Sequence, residues 1–475
     1  MGPQLDRHLA LIGFMGAGKS TLGLATAEEL ERPFTDVDEL VEAEYGDTVA
    51  ELFAHEGERH FRELEEGWAV SMLESPDRGV LALGGGAIES ERTRKALKAR
   101  ATTVWVDVPV DAAWERARGT ARPLAQDEQQ FRELHERRRP LYEAAADFVA
   151  KDLHDVLLAA AGIRVHAGAL ELLGSIVPGE GAVALVADAT VAGIHGATAQ
   201  LALGGRLAAM HELPNGEDAK TLAACERLWR RLELGRDGTL VALGGGATTD
   251  AAGFVAATHM RGIAWVSVPT TLVGQVDAGI GGKTAVNLPE AKNQVGAFHW
   301  PVRTVIDPAV LATLPAAERE NGAAEVVKTG LLAGEPLWEL PEPERVRRCA
   351  AYKAAVCLRD PYERGPRAEL NLGHTFAHAL EAASDYELPH GKAVALGLLA
   401  ALRLSGLSTE AVEEQLQPRP VRVDRARAWA ALLRDKKAVE GAPRVVLLER
   451  PGEPRTGVVL PEEEIRAALD ALIAT

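Results

Sequence analysis

Along the first third of the chain, short continuous apolar runs alternate with longer stretches of helical, 3.6-residue periodicity. Segments 8–13, 80–83 and 103–108 read as buried strands, the first two running into glycines, while the segment from Gly18 onward, 47–71 and 127–146 read as helices. Strands alternating with helices predict a parallel sheet covered on both faces. The pattern ends near 159–162, and 163–165 opens a second alternation, with strand-like 182–187, 239–243, 263–268 and 304–306 between helical segments. From about Pro315 the strands disappear. Segments 316–332, 344–358, 367–383 and 391–407 are Ala/Leu-rich with helical spacing, and only 444–460 reads as a late hairpin. The expected fold class is α/β: a parallel-sheet unit at 1–162, a nucleotide-type α/β layer at 163–314 and a helical layer at 315–475.

Composition adds limits. At 475 residues the chain exceeds what one ordinary core organises, and two or more domains are expected. With 47% hydrophobic and 25% charged residues it has the balance of a folded protein. The net charge is -17, and both parts are acidic: residues 1–162 hold 19 basic against 31 acidic side chains, the remainder 33 against 38. That excludes a nucleic-acid or anionic-membrane surface as the main business, so any anionic ligand must be held by a few local cations. No stretch approaches the roughly 20 apolar residues of a membrane helix. The N-terminal apolar run is too short for a signal peptide, and Cys225, Cys349 and Cys357 form no CxxC pair. These features predict a cytoplasmic protein. Of the 52 basic residues only 12 are Lys and 40 are Arg, so each lysine carries information.

Gly13, Gly16, Ala17, Gly18, Lys19, Ser20 and Thr21 belong to a complete GxxxxGK[ST] motif between an expected strand and an expected helix, the context a phosphate-binding loop requires. Its glycines let successive N–H groups curl round phosphate oxygens at a helix N-terminus. Lys19 is expected between the β- and γ-phosphates and Ser20 on Mg²⁺. Asp36 and Asp38, separated by one residue at a strand end, point to one side, so that one can serve the metal and the other a polyol. Arg62, Arg122 and Arg138, with the turn of Gly84, Gly85 and Gly86, suit a small substrate bearing a carboxylate and hydroxyls, because guanidinium grips carboxylate bidentately. In motif order and spacing, residues 1 to about 160 resemble shikimate kinase. The resemblance implies ATP with Mg²⁺, Asp36 near the metal, and Asp38 on the shikimate hydroxyls as the base. It further implies Arg62 and Arg138 on the carboxylate, the three glycines lining the pocket, and Arg122 in a lid over the transferring phosphoryl group. Which arginine meets the adenine stays open.

In the second part, three loops at expected strand ends, 213–220, 244–250 and 269–272, suggest a dinucleotide in general terms, since ligands of α/β sheets bind at such ends. More specific are Asp277, Lys283, Lys292 and Asn293, then Glu325 with Lys328 three residues on, His374 with His378 four residues on, and His390. Pairs at these spacings share a helix face, and a Glu with two His is a catalytic divalent-metal set of the zinc type. On these motifs residues 163–475 resemble 3-dehydroquinate synthase. That resemblance implies a Rossmann-like layer followed by a helical metal-binding layer, NAD and Zn²⁺ (or Co²⁺) as cofactors, and a homodimer. It implies Glu325, His374 and His390 as metal ligands. Around NAD it implies Asp188, Glu217, Lys220, Gly244, Gly245, Gly246, Asp250, Thr270, Thr271, Asp277, Lys283 and Lys292. Around the substrate it implies Asp277, Lys283, Lys292, Asn293, Lys328, Lys353, Arg367, Asn371, His378 and Lys436, with Arg261 reaching across the dimer. Six of the eight lysines in this part fall on these positions, which is what a site needing compact cations leaves behind in an Arg-preferring chain.

Together these features predict a two-activity enzyme of aromatic-precursor biosynthesis. One activity is ATP-dependent phosphorylation of shikimate, with Lys19, Asp38 and Arg122 as catalytic residues. The other is NAD- and metal-dependent conversion of 3-deoxy-arabino-heptulosonate 7-phosphate to 3-dehydroquinate and phosphate, with Lys283, Lys328 and His378. The rival readings are a different small-molecule kinase, another sugar-phosphate cyclase acting on sedoheptulose 7-phosphate or an amino analogue, and a catalytically silent nucleotide-binding regulator. Intact Lys19, Asp38, Glu325, His374 and His390 speak against the last.

Overall fold

The structure, a computed structural model, describes residues 5–120, 122–289, 291–434 and 443–474. It divides into two compact units, one ending at Ile163 and one beginning at Arg164. The first is built on five parallel strands in the order β2-β3-β1-β4-β5, namely β1 (His8–Ile12), β2 (Phe34–Asp36), β3 (Val80–Ala82), β4 (Ala101–Val106) and β5 (Phe148–Ala150). Every residue of β1 and β4 is buried, as expected for strands covered on both faces. Ile12, Phe14, Leu81, Trp105, Phe131 and Tyr142 form the centre of its core. The strands run in register and in one direction, so the turns after β1, β2 and β3 open at the same edge of the sheet, where ligands of such sheets bind. The helix expected over 47–71 is two helices, Val49–His55 and Gly57–Glu74. Gly57 takes φ 84°, a left-handed conformation that ends one helix and starts the next.

The second unit holds a six-stranded sheet in the order β6-β13-β10-β9-β7-β8. Its strands are β6 (Ile163–Val165), β7 (Val183–Asp188), β8 (Leu207–Leu213), β9 (Thr239–Gly244), β10 (Ala264–Pro269) and β13 (Arg303–Ile306); the five from β13 to β8 run parallel. Along β9, Leu240 and Ala242 enter one core and Val241 and Leu243 the other, the two-residue alternation of a strand between two layers. The chain steps from β7 to β8 on one side and returns to β9 on the other, so a topological switch point lies between β7 and β9. Two features were not expected from the sequence. One is the half-exposed edge strand β8. The other is an antiparallel hairpin of β11 (Lys283–Leu288) and β12 (Ala291–Phe298), with Lys283 opposite Phe298.

The helical layer contains Ala316–Ala333, Glu342–Arg359, His374–Ala383 and His390–Leu404, followed by the hairpin of β14 (Val445–Arg450) and β15 (Glu453–Val458). The helix expected over 367–383 is interrupted: Pro366–Asn371 is a 3₁₀ turn, and Gly373 at φ 77° starts a new helix at His374. A Cβ on Gly397 would overlap the Gly373 carbonyl, and one on Gly391 would overlap the Asn321 backbone. Those two glycine contacts let the His390 helix lie close against the His374 helix and the Ala316–Ala333 helix, which carries Glu325. Among the described residues no helix is long and apolar enough to cross a membrane, and all three cysteines are buried and free.

Candidate functional sites

In the first unit, Gly13, Gly16 and Gly18 all take positive φ, and a Cβ on Gly16 would collide with the Ala113 carbonyl. The helix Lys19–Leu30 therefore starts from a loop that only glycine permits, with its first N–H groups free to face an anion. Ala17 packs inward, Thr21 is exposed, and Lys19 Nζ folds back to donate to the carbonyls of Gly13 (2.9 Å) and Phe14 (3.1 Å). Ser20 Oγ donates to Asp36 Oδ2 at 2.5 Å, a hydroxyl–carboxylate pair that fits a hard divalent cation such as Mg²⁺. Asp36 also caps the next helix by accepting from the Asp38 N–H at 3.0 Å, which turns the Asp38 side chain toward the sheet edge.

Asp38 meets a second carboxylate there. Glu65, buried on the helix Gly57–Glu74, sends Oε2 to Arg62 at 2.7 Å and leaves Oε1 without a hydrogen bond, as Asp38 Oδ1 is left. A Cβ on Gly84 would collide with both oxygens, and one on Gly86 with the Arg62 guanidinium. The Gly84, Gly85, Gly86 turn is thus the floor that lets these groups converge, and Tyr142 pins it by donating to the Gly85 carbonyl at 2.6 Å. Burial first, then the charges of Glu65 and Asp36, push the Asp38 carboxyl up to about 7 against the pull of Lys19 and Arg62. Burial likewise lowers the Lys19 ammonium, with Asp38 and Asp36 opposing. Arg138 is buried and gripped through Nε and Nη2 by Glu89, at 3.1 and 3.2 Å. Ser20, Asp36, Asp38, Arg62, Arg122 and Arg138 line one cleft of about 370 Å³. Beside the phosphate-type loop, Arg116 donates to the Gly16 carbonyl at 3.3 Å, whereas Arg118 pairs with Glu115 on the surface.

In the second unit, the switch point carries Asp188 at the end of β7 and Gly244 at the end of β9. Thr248 donates to Asp188 across the gap at 3.1 Å. The helix Gly246–Thr258 begins at Gly245 with no side-chain cap, and Cβ atoms on Gly245 and Gly246 would press on Thr271 and Ala278. This is a cradle for a phosphate and a ribose, and it fits a dinucleotide. Thr270 donates its N–H to the Gly244 carbonyl and Thr271 Oγ1 accepts from Gly274, so both residues shape the same turn. Lys220 is committed to Asp250 and Asn293, each at 2.6 Å, and Glu217 accepts from Asn287 at 2.5 Å. Those bonds tie the cradle to the β11–β12 hairpin.

Next to it lies a cleft of about 600 Å³ lined by Asp277, Lys283, Asn293, Lys328, Lys353, Arg367, Asn371, His374, His378 and His390 among others. One ligand atom from each of Glu325, His374 and His390 lies within 4.8 Å of the other two. A carboxylate oxygen with two imidazole nitrogens at that spacing fits a Zn²⁺-type ion. Lys328 pairs with Glu325, and Asp277 Oδ1 accepts from Lys353 at 2.6 Å with Lys328 at 3.6 Å. Burial acts to raise the Asp277 carboxyl, yet Lys328 and Lys353 outweigh it and Asp277 falls to about 2; Glu325 is held well below the usual range, against burial, by Lys328 and by hydrogen bonds from His374 and His390. The His374 imidazole is lowered by burial and Lys328, whereas His390, despite burial, is raised to about 10 by hydrogen bonds to Glu325 and Glu381. Lys283 bonds Glu363 at 2.6 Å, and Arg367 is fixed by the carbonyls of Gly281 and Pro361.

One expected residue stands elsewhere; Arg261, expected to reach across a dimer, is on the surface; and one lies outside the described residues. Lys292 places Nζ over the Tyr386 ring, 4.4 Å from its centroid, rather than over the cleft. Arg261 is exposed on a turn where Met260 and Arg261 both take positive φ. Lys436 lies outside the described residues. Sequence reasoning missed Glu65, Glu89 and Glu381, the acids that hold Arg62, Arg138 and His390. A signal existed for two of them: Glu65 follows Arg62 by three residues and Glu381 follows His374 by seven, both spacings of one helix face.

Comparison with known proteins agrees with this division. Residues 15–160 match the shikimate kinase family, residues 210–321 the N-terminal part of 3-dehydroquinate synthase and residues 322–429 its C-terminal part. The chain is 40% identical over 341 residues to the 3-dehydroquinate synthase of Bordetella pertussis, covering 65% of this chain and 95% of that one. Among solved structures, the 2-epi-5-epi-valiolone synthase of Streptomyces hygroscopicus, with NAD⁺ and Zn²⁺ bound, superposes with a TM-score of 0.58 at 27% identity over 65% of this chain and 96% of that one. The bifunctional shikimate kinase/3-dehydroquinate synthase of Thermotoga maritima is 32% identical over 477 residues, 92% of this chain and 94% of its own. With both halves matched and a relative aligned along nearly its whole length, the chain belongs to the bifunctional shikimate kinase/3-dehydroquinate synthase family.

Proposed function

We propose that residues 1–162 phosphorylate shikimate with ATP, and that 163–475 close 3-deoxy-arabino-heptulosonate 7-phosphate to 3-dehydroquinate with release of phosphate. Within the second part, 163–314 would carry NAD and 315–475 the metal. The observation that carries the reading is the second cleft. A Glu–His–His donor set shares it with Lys328, Lys353, Lys283 and Arg367, the cations needed by a substrate with both a phosphate and a carboxylate.

In the first site the N–H groups from Gly16 to Ser20 and the Lys19 ammonium hold the triphosphate, and Arg116 is the arginine placed to reach the base. Mg²⁺ held by Ser20 and Asp36 would supply charge neutralisation on the phosphates. Arg62 and Arg138 grip the shikimate carboxylate, Asp38 takes the proton of the attacking hydroxyl, and Arg122 reaches over the transferring group.

In the second site the cradle at Asp188, Glu217, Asp250, Thr270, Thr271 and the glycines 244–246 holds NAD, which supplies a reversible hydride acceptor. A divalent cation held by Glu325, His374 and His390 would polarise the substrate's hydroxyls. Asp277, Lys328 and Lys353 form a fixed charged frame beside the donor set. Lys283, Arg367, Asn293 and Asn371 fix the phosphate and carboxylate ends, and His378 assists proton movement. We place Arg261 at the partner's site in a cytoplasmic homodimer built through this part; sedimentation of the intact chain tests the dimer. Comparing turnover of 3-deoxy-arabino-heptulosonate 7-phosphate with sedoheptulose 7-phosphate tests the substrate. Preference for the second sugar would assign this half to the cyclases acting on that substrate.

A further inference from the structure

Each residue of the Glu–His–His set has one protein partner behind it, and the three partners differ. Glu325 is paired by Lys328, and His374 Nδ1 faces the Leu372 carbonyl at 3.2 Å. His390 Nδ1 faces a carboxylate, Glu381 Oε1, at 3.0 Å, while its Nε2 lies 3.1 Å from Glu325 Oε1. His390 is also the most exposed of the three, with 37% of its side chain accessible against 12% for His374 and none for Glu325. It is the first residue of its helix, directly after Pro389. Glu381 is different. It is 14% accessible and sits seven residues beyond His374 on the same helix face. One short helix therefore presents both a member of the donor set and the carboxylate that holds another.

We infer that Glu381 is the positioning residue of this metal site, holding His390 through Nδ1–H so that the Nε2 lone pair faces the point shared with Glu325 and His374. A carboxylate in that place does two things. It fixes the tautomer and the ring angle of the least buried ligand, and it makes the imidazole a stronger donor. Loss of such a partner typically weakens metal affinity about 10–100-fold. The inference rests on the metal-site reading above and adds a residue to it.

The test is zinc affinity of the full chain, measured by competition with a chromophoric chelator in the absence of substrate. Glu381→Ala is expected to bind zinc about 10–100-fold more weakly. Glu381→Gln, whose amide oxygen still accepts from Nδ1–H without the charge, should fall between it and the unaltered chain. NAD affinity and shikimate phosphorylation, read on the same preparations, should be unchanged and show that both variants are folded. Glu381→Ala binding zinc within twofold of the unaltered chain, while His390→Ala loses it, would overturn the inference alone. Equal losses of zinc and NAD affinity would overturn it by showing a merely structural role. Unchanged zinc affinity in His390→Ala would remove the metal-site reading itself and this inference with it.

Discussion

The two clefts handle buried carboxylates in opposite ways. Each combines a fully buried glutamate with a partly buried aspartate: Glu65 with Asp38 in the first unit, Glu325 with Asp277 in the second. Burial opposes the charged form in all four. In the first unit it wins: Asp38 is pushed up to about 7 by burial and by the charges of Glu65 and Asp36, and burial raises Glu65 as well despite Arg62, whose guanidinium is shared with Glu58. In the second unit it loses, since Lys328 stands against both Asp277 and Glu325 and Lys353 against Asp277. What separates Asp38 from Asp277 is therefore the neighbour and not the depth. The kinase cleft keeps a carboxyl ready to take a proton near neutrality. The synthase cleft keeps permanent anions locked among lysines, suited to holding a cation and a multiply charged substrate in one geometry.

That contrast can be broken most severely at Asp38. Asp38→Asn should lower phosphoryl transfer by roughly 10²–10⁴-fold, the usual worth of a general base. ATP binding and the synthase activity should be retained, as read by nucleotide titration and phosphate release. Undiminished transfer would remove Asp38 as the base.

Next is the lysine frame. Lys328→Met takes one partner from two buried or partly buried carboxylates and should cost about 3–5 kcal/mol in chemical unfolding of the second unit. Glu65→Gln, which removes one of the like charges beside Asp38 and leaves an acceptor for Arg62, should change stability by less than about 1 kcal/mol. Equal losses in the two variants would erase the distinction between the clefts.

The pH responses of the two activities should differ. Asp38 must be deprotonated to act, so kcat/KM for shikimate phosphorylation should fall as pH drops through about 7, and Glu65→Gln should move that limb to lower pH. Asp277 and Glu325, held low, contribute no such limb to the synthase profile between pH 5 and 8. A carboxylate held low stabilises the fold above its unfolded value and loses that contribution in acid, whereas one pushed up does the reverse.

The smallest expected effect is at Glu89. It grips Arg138 but is 42% accessible, so the pair is partly screened. Glu89→Gln should raise KM for shikimate about two- to fivefold with kcat unchanged, the equivalent of up to about 1 kcal/mol.

How much of this was legible in the sequence depends on how local each feature is. The phosphate-type loop was readable because its glycines, Lys19 and Ser20 are contiguous and their conformations are set by the turn itself. The Glu325–Lys328 and His374–His378 pairs were readable because helix geometry fixes which spacings share a face. Glu65, Glu89 and Glu381 escaped because an acid on a helix looks like solvated surface until another element packs over it. The edge strand β8 escaped because only one side of it is covered, leaving a mixed pattern, and the β11–β12 hairpin because Lys283, Asn293 and Gln294, which line the cleft, break its apolar alternation. The helices expected at 47–71 and 367–383 are each cut by a glycine at positive φ, Gly57 and Gly373. A lone glycine in a periodic run does not announce that conformation.

The central claim, two independent activities with separate metal requirements on one chain, is tested most directly by treating the purified protein with a strong chelator and assaying each substrate set afterwards. The account predicts that Mg²⁺ alone restores shikimate phosphorylation, while phosphate release from 3-deoxy-arabino-heptulosonate 7-phosphate with NAD⁺ returns only when Zn²⁺ or Co²⁺ is added. Full recovery of both with Mg²⁺ alone, or of neither with all of these ions present, would contradict it.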